Sequence, residues 1–390
     1  MKPRNATPSP HKRALEALAR RGRLRALEPA RGLDFASNDY LGFARSNELR
    51  AAVSAAVDRG VAIGSGGSRL LRGNDAEHEA LEAEAAAFFC AKTALYFGGG
   101  FIANTAIFST LPQRGDLIVY DNLIHASVHE GLRLSKAEAR AFSHNDAQAC
   151  DDAITAWRTA GGTGRPWIAV ESLYSMDGDR APLDDLANVA RHHDAMLVLD
   201  EAHATGIFGP DGRGLGAHLE GADNVVSLHT CGKALGCSGA IVCAPKDMCD
   251  FLVNRARGFI YATAPSPLMA AAVRAALRLM REEPQRREAL HKRIAFAQSL
   301  LCERLGVTPS DTQIQPIIAG TDASAIQLAD AMRAQGFDIR AIRPPTVPEG
   351  TSRLRMTLTL NTSETETAAL IDALAAAWAE HGRPACSVQS

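Results

Sequence analysis

From residue 94 to residue 243 short apolar runs and longer amphipathic ones take turns, and that alternation leaves few folds open. The short runs are 94–97, 117–120, 139–142, 167–170, 196–199, 225–228 and 240–243. Helical patterns such as 76–90, 147–159 and 183–193 separate most of them. Strands that alternate with helices predict an α/β chain with a mostly parallel sheet covered on both faces. Such sheets bind ligands beyond the carboxyl ends of their strands, so the residues just after each run are where chemistry is expected.

The pattern changes after Tyr261. A long helical region, 265–305, breaks near Pro284, and strand-like runs at 313–318, 338–342 and 353–359 follow, with helices at 323–335 and 364–379. This reads as a smaller α+β domain with an antiparallel sheet. The expected division is an N-terminal helix and arm over 1–45, a large domain over 46–262 and a small C-terminal domain over 263–390. A chain of 390 residues is long enough for two such cores. Near its start, Leu15, Leu18, Leu24 and Leu27 fit an amphipathic helix. Glu16 and Glu28 interrupt the basic stretch there, which lacks the apolar core of a secretory signal. The tail after His381 is the one stretch that reads as disordered.

Composition narrows the function classes. A net charge of -2 gives no sign of a nucleic-acid or membrane partner, and no apolar run approaches the length of a membrane span. The plain reading is a cytoplasmic enzyme. Of the eight cysteines, Cys231, Cys237, Cys243 and Cys249 recur every six residues. There is no C-x-x-C pair and no matching histidine pattern, so free thiols are expected and no metal site.

Two strand ends carry reactive groups. Lys233 follows the run at 225–228 and sits among small residues with no charged neighbour. An amine in an apolar site loses basicity, as a Schiff-base lysine requires, although a phosphate-binding or structural lysine remains an alternative. Asp200 ends the run at 196–199. A buried carboxylate there needs a cationic partner such as a pyridinium nitrogen; the alternative is a helix N-cap. Glycines at 98–100 follow another strand and open a helix, a place where free N–H groups bind phosphate. No P-loop motif occurs. The segment Gly64-Ser-Gly-Gly-Ser-Arg69 fails the dinucleotide spacing, because Arg69 stands where the last glycine belongs.

An aspartate after one strand and a lysine after the next, about thirty residues on, is similar to the layout of aspartate-aminotransferase-type (fold type I) pyridoxal-phosphate enzymes. The whole chain from about Leu15 to about Ala377 resembles one family of them, the α-oxoamine synthases. The segments that carry the resemblance are Asp34-Phe-Ala-Ser-Asn-Asp-Tyr-Leu-Gly42, the 64–69 segment, Asp121-Asn-Leu-Ile-His-Ala-Ser127, Glu171-Ser-Leu-Tyr-Ser-Met-Asp-Gly-Asp179 and Asp200-Glu-Ala-His-Ala-Thr-Gly206. Two more are Ile342-Arg-Pro-Pro-Thr-Val-Pro348 and Thr351-Ser-Arg-Leu-Arg355.

The resemblance implies pyridoxal 5'-phosphate as cofactor and a role for each matching residue. Lys233 forms the Schiff base and then acts as acid and base, Asp200 pairs with the pyridine nitrogen, and His125 stacks on the ring. Ser175 and His203 lie by the phenolic oxygen, and Gly100, Phe101 and Thr230 lie by the phosphate. Asn38 and Arg355 hold the amino-acid carboxylate, with Ser68 beside its side chain. Arg25, Arg343 and Thr346 meet the acyl substrate. The 342–348 segment is similar to that of the branch that condenses L-alanine with pimeloyl-CoA or pimeloyl-acyl carrier protein in biotin biosynthesis. Other branches make 5-aminolevulinate, 2-amino-3-ketobutyrate or a palmitoyl-serine product. A catalytically dead partner subunit would have lost Lys233. A homodimer is expected, with the 64–69 loop reaching the neighbouring site. Ala204 and Cys231 depart from the residues common in the family, and neither change removes a catalytic group.

Overall fold

The computed structural model describes residues 9–27 and 29–381, so Glu28 and the tail beyond His381 lie outside the described residues. The chain opens with α1 (Pro10–Arg20), β1 (Leu33–Asp34), α2 (Asn47–Asp58) and α3 (Ala76–Phe89). The alternating region runs β2 (Thr93–Phe97), α4 (Gly100–Thr110), β3 (Leu117–Asp121), α5 (Ala126–Leu134), β4 (Glu138–Phe142), α6 (Ala147–Thr159), β5 (Pro166–Glu171), α7 (Leu183–His192), β6 (Met196–Asp200), β7 (Val225–Thr230) and β8 (Ala240–Ala244). Helices α8 (Lys246–Arg255), α9 (Arg257–Ile260), α10 (Pro267–Glu282) and α11 (Pro284–Leu300) follow. The last part is β9 (Ile314–Gly320), α12 (Asp322–Ala334), β10 (Phe337–Asp338), β11 (Arg340–Ile342), β12 (Ser352–Thr357) and α13 (Glu364–His381).

All seven apolar runs between 94 and 243 are strands of one sheet, in the order β2-β8-β7-β6-β5-β3-β4. Only β8 runs against its neighbours, so the sheet is mostly parallel, as expected. Both of its faces are buried. On β6, Met196 and Val198 pack into one core with α4, α8 and α9, while Leu197 and Leu199 pack into another with α6 and α7. Side chains alternate across a strand, so covering both faces demands the continuous apolar runs seen in the sequence. A second sheet, β11-β12-β9, is antiparallel and lies in the C-terminal third.

Two expectations fail at the ends of elements. The N-terminal helix stops at Arg20, and Gly22, in a left-handed conformation (φ 65°), turns the chain away. Leu24 and Leu27 therefore lie outside the helix, and all four leucines are exposed in this chain. The run at 338–342 is not one strand. β10 pairs in parallel with β1, while β11 pairs with β12, so the chain changes partner at Ile339. Cys231, Cys243 and Cys249 fall on a bend, a strand and a helix, and the seven described cysteines are free. Cys243 stands near Glu220 and His229. The ring nitrogens of that histidine are already engaged by Thr205, Ser227 and Glu220.

One contact matters for the site. Helices α4 and α5 pack closely because Gly131 has no side chain; a Cβ there would stand 2.7 Å from the Cβ of Phe108 and 3.3 Å from the carbonyl oxygens of Asn104 and Thr105. Gly131→Ala should push α5 from α4 and destabilise the protein by ~1–3 kcal/mol, the usual cost of overpacking. Urea denaturation checks this, and an unchanged midpoint would show that the helix pair yields freely.

Candidate active site

The parallel register brings three strand ends level. Glu171 of β5 pairs with Asp200 of β6, and Asp200 with Leu228 of β7. Around these ends lies a cleft of about 160 Å³ lined by Gly100, Phe101, Asn104, His125, Ser127, Glu171, Asp200, Ala202, His203, Leu228, Thr230 and Lys233. Seven of these twelve, Gly100, Phe101, His125, Asp200, His203, Thr230 and Lys233, are residues to which the sequence assigns a role.

Asp200 is buried, and hydrogen bonds rather than a counter-charge hold it. Asn104 Nδ2 donates to its Oδ2 at 2.7 Å, and the Ala202 N–H donates to its Oδ1 at 3.0 Å. No helix follows it, which removes the N-cap reading. Among the described residues, none forms an ion pair with it. The same Asn104 amide donates to Ser127 Oγ at 3.0 Å. Ser127 Oγ lies 2.8 Å from His125 Nδ1, which also accepts the Ser127 N–H at 3.2 Å, so His125 caps α5 and carries its proton on Nε2. The His125 ring opens onto the cleft. Even so, the protein packed around it lowers its pKa, against the pull of Asp200 and with help from Lys233 and His129.

Lys233 lies in the turn after β7, where the Gly236 N–H donates to its carbonyl at 2.9 Å. Its amine is 2.7 Å from His203 Nε2, and His203 Nδ1 is 2.7 Å from the hydroxyl of Tyr40. Burial lowers the lysine's pKa to about 8, against the opposing charges of Asp200 and Glu171. Burial also drives His203 well below the ordinary imidazole range, aided by Lys233, Arg355 and His125. A neutral His203 that donates from Nδ1 to Tyr40 and accepts at Nε2 from Lys233 satisfies the whole chain. Glu171 is pushed up to about 8, by burial first and then by the charge of Asp200. The Ser175 N–H donates to its Oε2 at 3.2 Å, and its Oε1 is buried with no partner.

At the opposite side, no side chain caps α4 at Gly99, so its first-turn N–H groups open into the cleft lined by Gly100 and Phe101. Thr230 ends β7 beside Gly100. This set fits pyridoxal phosphate: open amides for a phosphate, a deprotonatable amine for an aldehyde, and a buried carboxylate without an ion-pair partner for a cationic ring nitrogen.

The remaining expected residues divide. Arg355 of β12 is buried, donates to the Ser175 carbonyl at 2.5 Å and to Asn38 Oδ1 at 3.1 Å, and so lies with Asn38 and Ser175. Arg25 and Thr346 line a second cleft, of about 530 Å³, with His125, His129, Ser175 and Val347. Arg343 is not in its lining; it binds the carbonyl of Gly22. Ser68 lines neither cleft of its own chain. Its loop is tied down locally, by Arg69 to Glu82 at 2.8 Å and by Ser65 to the Pro265 carbonyl at 2.6 Å.

Four residues of the site went unnamed in the sequence. Glu171 ends a strand and satisfies the rule that pointed to Asp200. Asn104 stands one helical turn after Gly100, facing the cleft. Tyr40 lies inside the 34–42 segment that carries the resemblance, while Gln313, whose amide donates to the His203 carbonyl at 2.8 Å, carries no local signal.

Comparison with known proteins gives this geometry a family. The model of aminotransferase class I and II matches residues 30–374, and the chain belongs to that family. Within it, the 8-amino-7-oxononanoate synthase of Chromobacterium violaceum is 42% identical over 87% of this chain and 88% of that protein. That of Methylococcus capsulatus is 42% identical over 90% of each. The chain belongs to this synthase family. Among solved structures, the 8-amino-7-oxononanoate synthase of Francisella tularensis superposes with a TM-score of 0.75 at 27% identity, covering 90% of this chain and 98% of that one. The Sphingomonas wittichii serine palmitoyltransferase gives 0.84 at 26% identity, covering 95% and 97%.

A pKa of about 8 means that Lys233 gains its neutral form near pH 8 rather than near 10.5. In cofactor-free protein, competitive amine labelling read by mass spectrometry should show Lys233 reacting with a midpoint near pH 8. A midpoint shared with the surface lysines would overturn the burial argument.

Proposed function

We propose that the protein joins L-alanine to a pimeloyl thioester, on coenzyme A or acyl carrier protein, releasing carbon dioxide and the thiol and leaving 8-amino-7-oxononanoate for biotin synthesis. The observation that carries this reading is the second cleft. Its wall is built from Pro345, Thr346, Val347 and Pro348, and it shares His125 with the lysine cleft, so an acyl thioester in one meets an amino acid in the other.

Bound pyridoxal phosphate supplies the electron sink for a carbanion at the amino acid's α-carbon. The chain's residues supply position and protons. Lys233, half deprotonated near pH 8, takes and returns the α-proton. Asp200, fixed by Asn104 and the Ala202 amide, pairs with the ring nitrogen. Gly100, Phe101 and Thr230 hold the phosphate. His203 keeps the lysine amine aligned, and Ser175 stands with it at the phenolic oxygen. Arg355 forks onto the substrate carboxylate beside Asn38. His125 forms the wall between the two substrates. Arg25, Thr346 and, through the arm it fastens, Arg343 shape the acyl side.

The working form is read as a homodimer. Ile63, Leu70, Leu71, Phe101, Ile102 and Tyr261 are exposed apolar side chains of the kind a partner subunit would cover. A partner there brings its 64–69 loop, and Ser68 with it, toward this cleft. No described helix is long and apolar enough to cross a membrane, and the free thiols suit a reducing cytoplasm.

Purified protein should turn over alanine with pimeloyl thioester in preference to glycine or serine; a preference for glycine or serine would reassign the branch. Lys233→Ala should abolish turnover and the visible absorption of lysine-bound cofactor while leaving the far-UV circular dichroism intact. Asp200→Asn should raise the barrier to α-proton exchange by at least ~2–4 kcal/mol, the scale of a lost electrostatic donor. Ser68→Thr should lower the alanine-to-glycine specificity ratio by up to about a hundredfold, as one methyl group in a pocket can. An unchanged ratio would remove Ser68 from the substrate pocket.

A further inference from the structure

Two loops line the second cleft together with residues 345–348 and Arg25. One, 121–125, leads from β3 to His125; the other, 174–179, leads from β5 through Ser175. A single side chain touches the base of both. His144 Nδ1 is 2.9 Å from Asp121 Oδ1 and 3.1 Å from its Oδ2, and Nε2 is 2.6 Å from Asp179 Oδ2.

The surroundings lock this geometry. Asp121 is fully buried; it also accepts the N–H of Leu123 at 2.8 Å, within the first loop, and the N–H of Asn145 at 2.8 Å. Asn145 adopts a left-handed conformation (φ 55°), uncommon for a residue other than glycine, and its side-chain amide donates to Asp179 Oδ2 at 2.6 Å. The edge of Tyr174 meets the His144 ring at 4.5 Å between centroids. The second loop carries further working contacts: Arg355 binds the Ser175 carbonyl, and Arg353 pairs with Asp177.

We propose that His144 is an imidazolium strut that sets the spacing between the loop ending in His125 and the loop carrying Ser175, and so fixes the width of the acyl cleft. A neutral imidazole has one N–H and cannot donate to both carboxylates, whereas the cation donates to both and compensates two negative charges that would otherwise face each other. The charged and titratable groups facing the ring are Asp121 from the end of β3, Asp179 from the second loop, and Tyr174. Burial draws the imidazole pKa down, but the hydrogen bonds to Asp121 and Asp179 overcome it and hold the pKa up at about 10. Burial likewise raises Asp121, and its bonds from His144, Asn145 and Leu123 outweigh that and keep it below the usual carboxylate range. The folded protein therefore binds this proton more tightly than an ordinary histidine. The contribution is full below about pH 6.5 and is lost as pH rises through about 10. His144 is a positioning residue, since it reaches neither cleft itself.

The assignment of the wider cleft to the acyl group rests on the function proposed above, and the test separates the two. Holoenzyme labelled with ¹⁵N-histidine should show, at pH 8, one ring with both nitrogens protonated, absent from His144→Gln. Hydrogen exchange in that variant should quicken in 121–125 and 174–179. Its KM for the acyl thioester should rise on the order of tenfold to a hundredfold, the scale of a small misplacement, with a smaller rise in the KM for alanine through the Arg355 contact to Ser175. Asp179→Asn in the same background should restore part of the loss by removing the unpaired repulsion. If His144→Gln does not fold, Asp179→Asn alone should show a smaller rise in acyl KM. A neutral His144 at pH 8, or equal losses for both substrates in step with thermal stability, overturns the strut. Wild-type protein inactive on pimeloyl thioester, with the exchange and charge signatures intact, overturns only the substrate reading.

Discussion

The site depends on one electrostatic constraint: a carboxylate, Asp200, placed at the buried end of a central strand where water cannot solvate it. Burying an anion is costly unless its oxygens are bonded and its charge compensated. The fold meets the first need with Asn104 and a turn amide. It leaves the second to a cationic partner, and the cofactor's ring nitrogen is such a group. Everything nearby is arranged around that one charge. Asn104 reaches it because α4 starts at the glycine turn whose amides no side chain caps. Ser127 then links Asn104 to His125, so the carboxylate and the imidazole are fixed by one continuous set of hydrogen bonds.

The same low-polarity setting sorts the protonation states. Glu171 stands beside Asp200 in the register, and two adjacent buried carboxylates do not both ionise freely. Glu171 takes the raised pKa, and Lys233 the lowered one. His203 is driven neutral and serves as an acceptor. His144 shows the opposite balance a short distance away, because there the two acids outnumber the base. Burial weakens a charge in every case; whether the charge survives is decided by how many partners it has.

Much of the large sheet was legible because its strands are covered on both faces. That condition writes continuous apolar runs into the sequence, and the turns that end them mark where Asp200 and Lys233 stand. The cleft's far side was not legible in this way. Tyr40, Asn38, Gln313 and Arg355 lie on segments with no common periodicity, and only the folded register of β9, β12 and the N-terminal arm brings them to the lysine. The N-terminal leucines misled because spacing alone does not show that Gly22 ends the helix. The 338–342 run misled because one apolar segment serves two sheets. Glu171 obeys the same strand-end rule as Asp200, since it closes β5.

The N-terminal arm threads through the last part of the chain. The Phe35 carbonyl accepts the Thr357 N–H, the Tyr40 carbonyl accepts the Leu360 N–H, and β1 adds to β10. Residues 33–40 therefore lack these backbone partners until residues 337–360 have been made. Through synthesis the large sheet has its own strands to pair with, while Asn38 waits for Arg355. Contacts between such distant positions slow folding, because a long loop must close before it is rewarded. A nascent chain stalled before β12 thus holds the lysine turn without Arg355, and Asn38 without the guanidinium it binds.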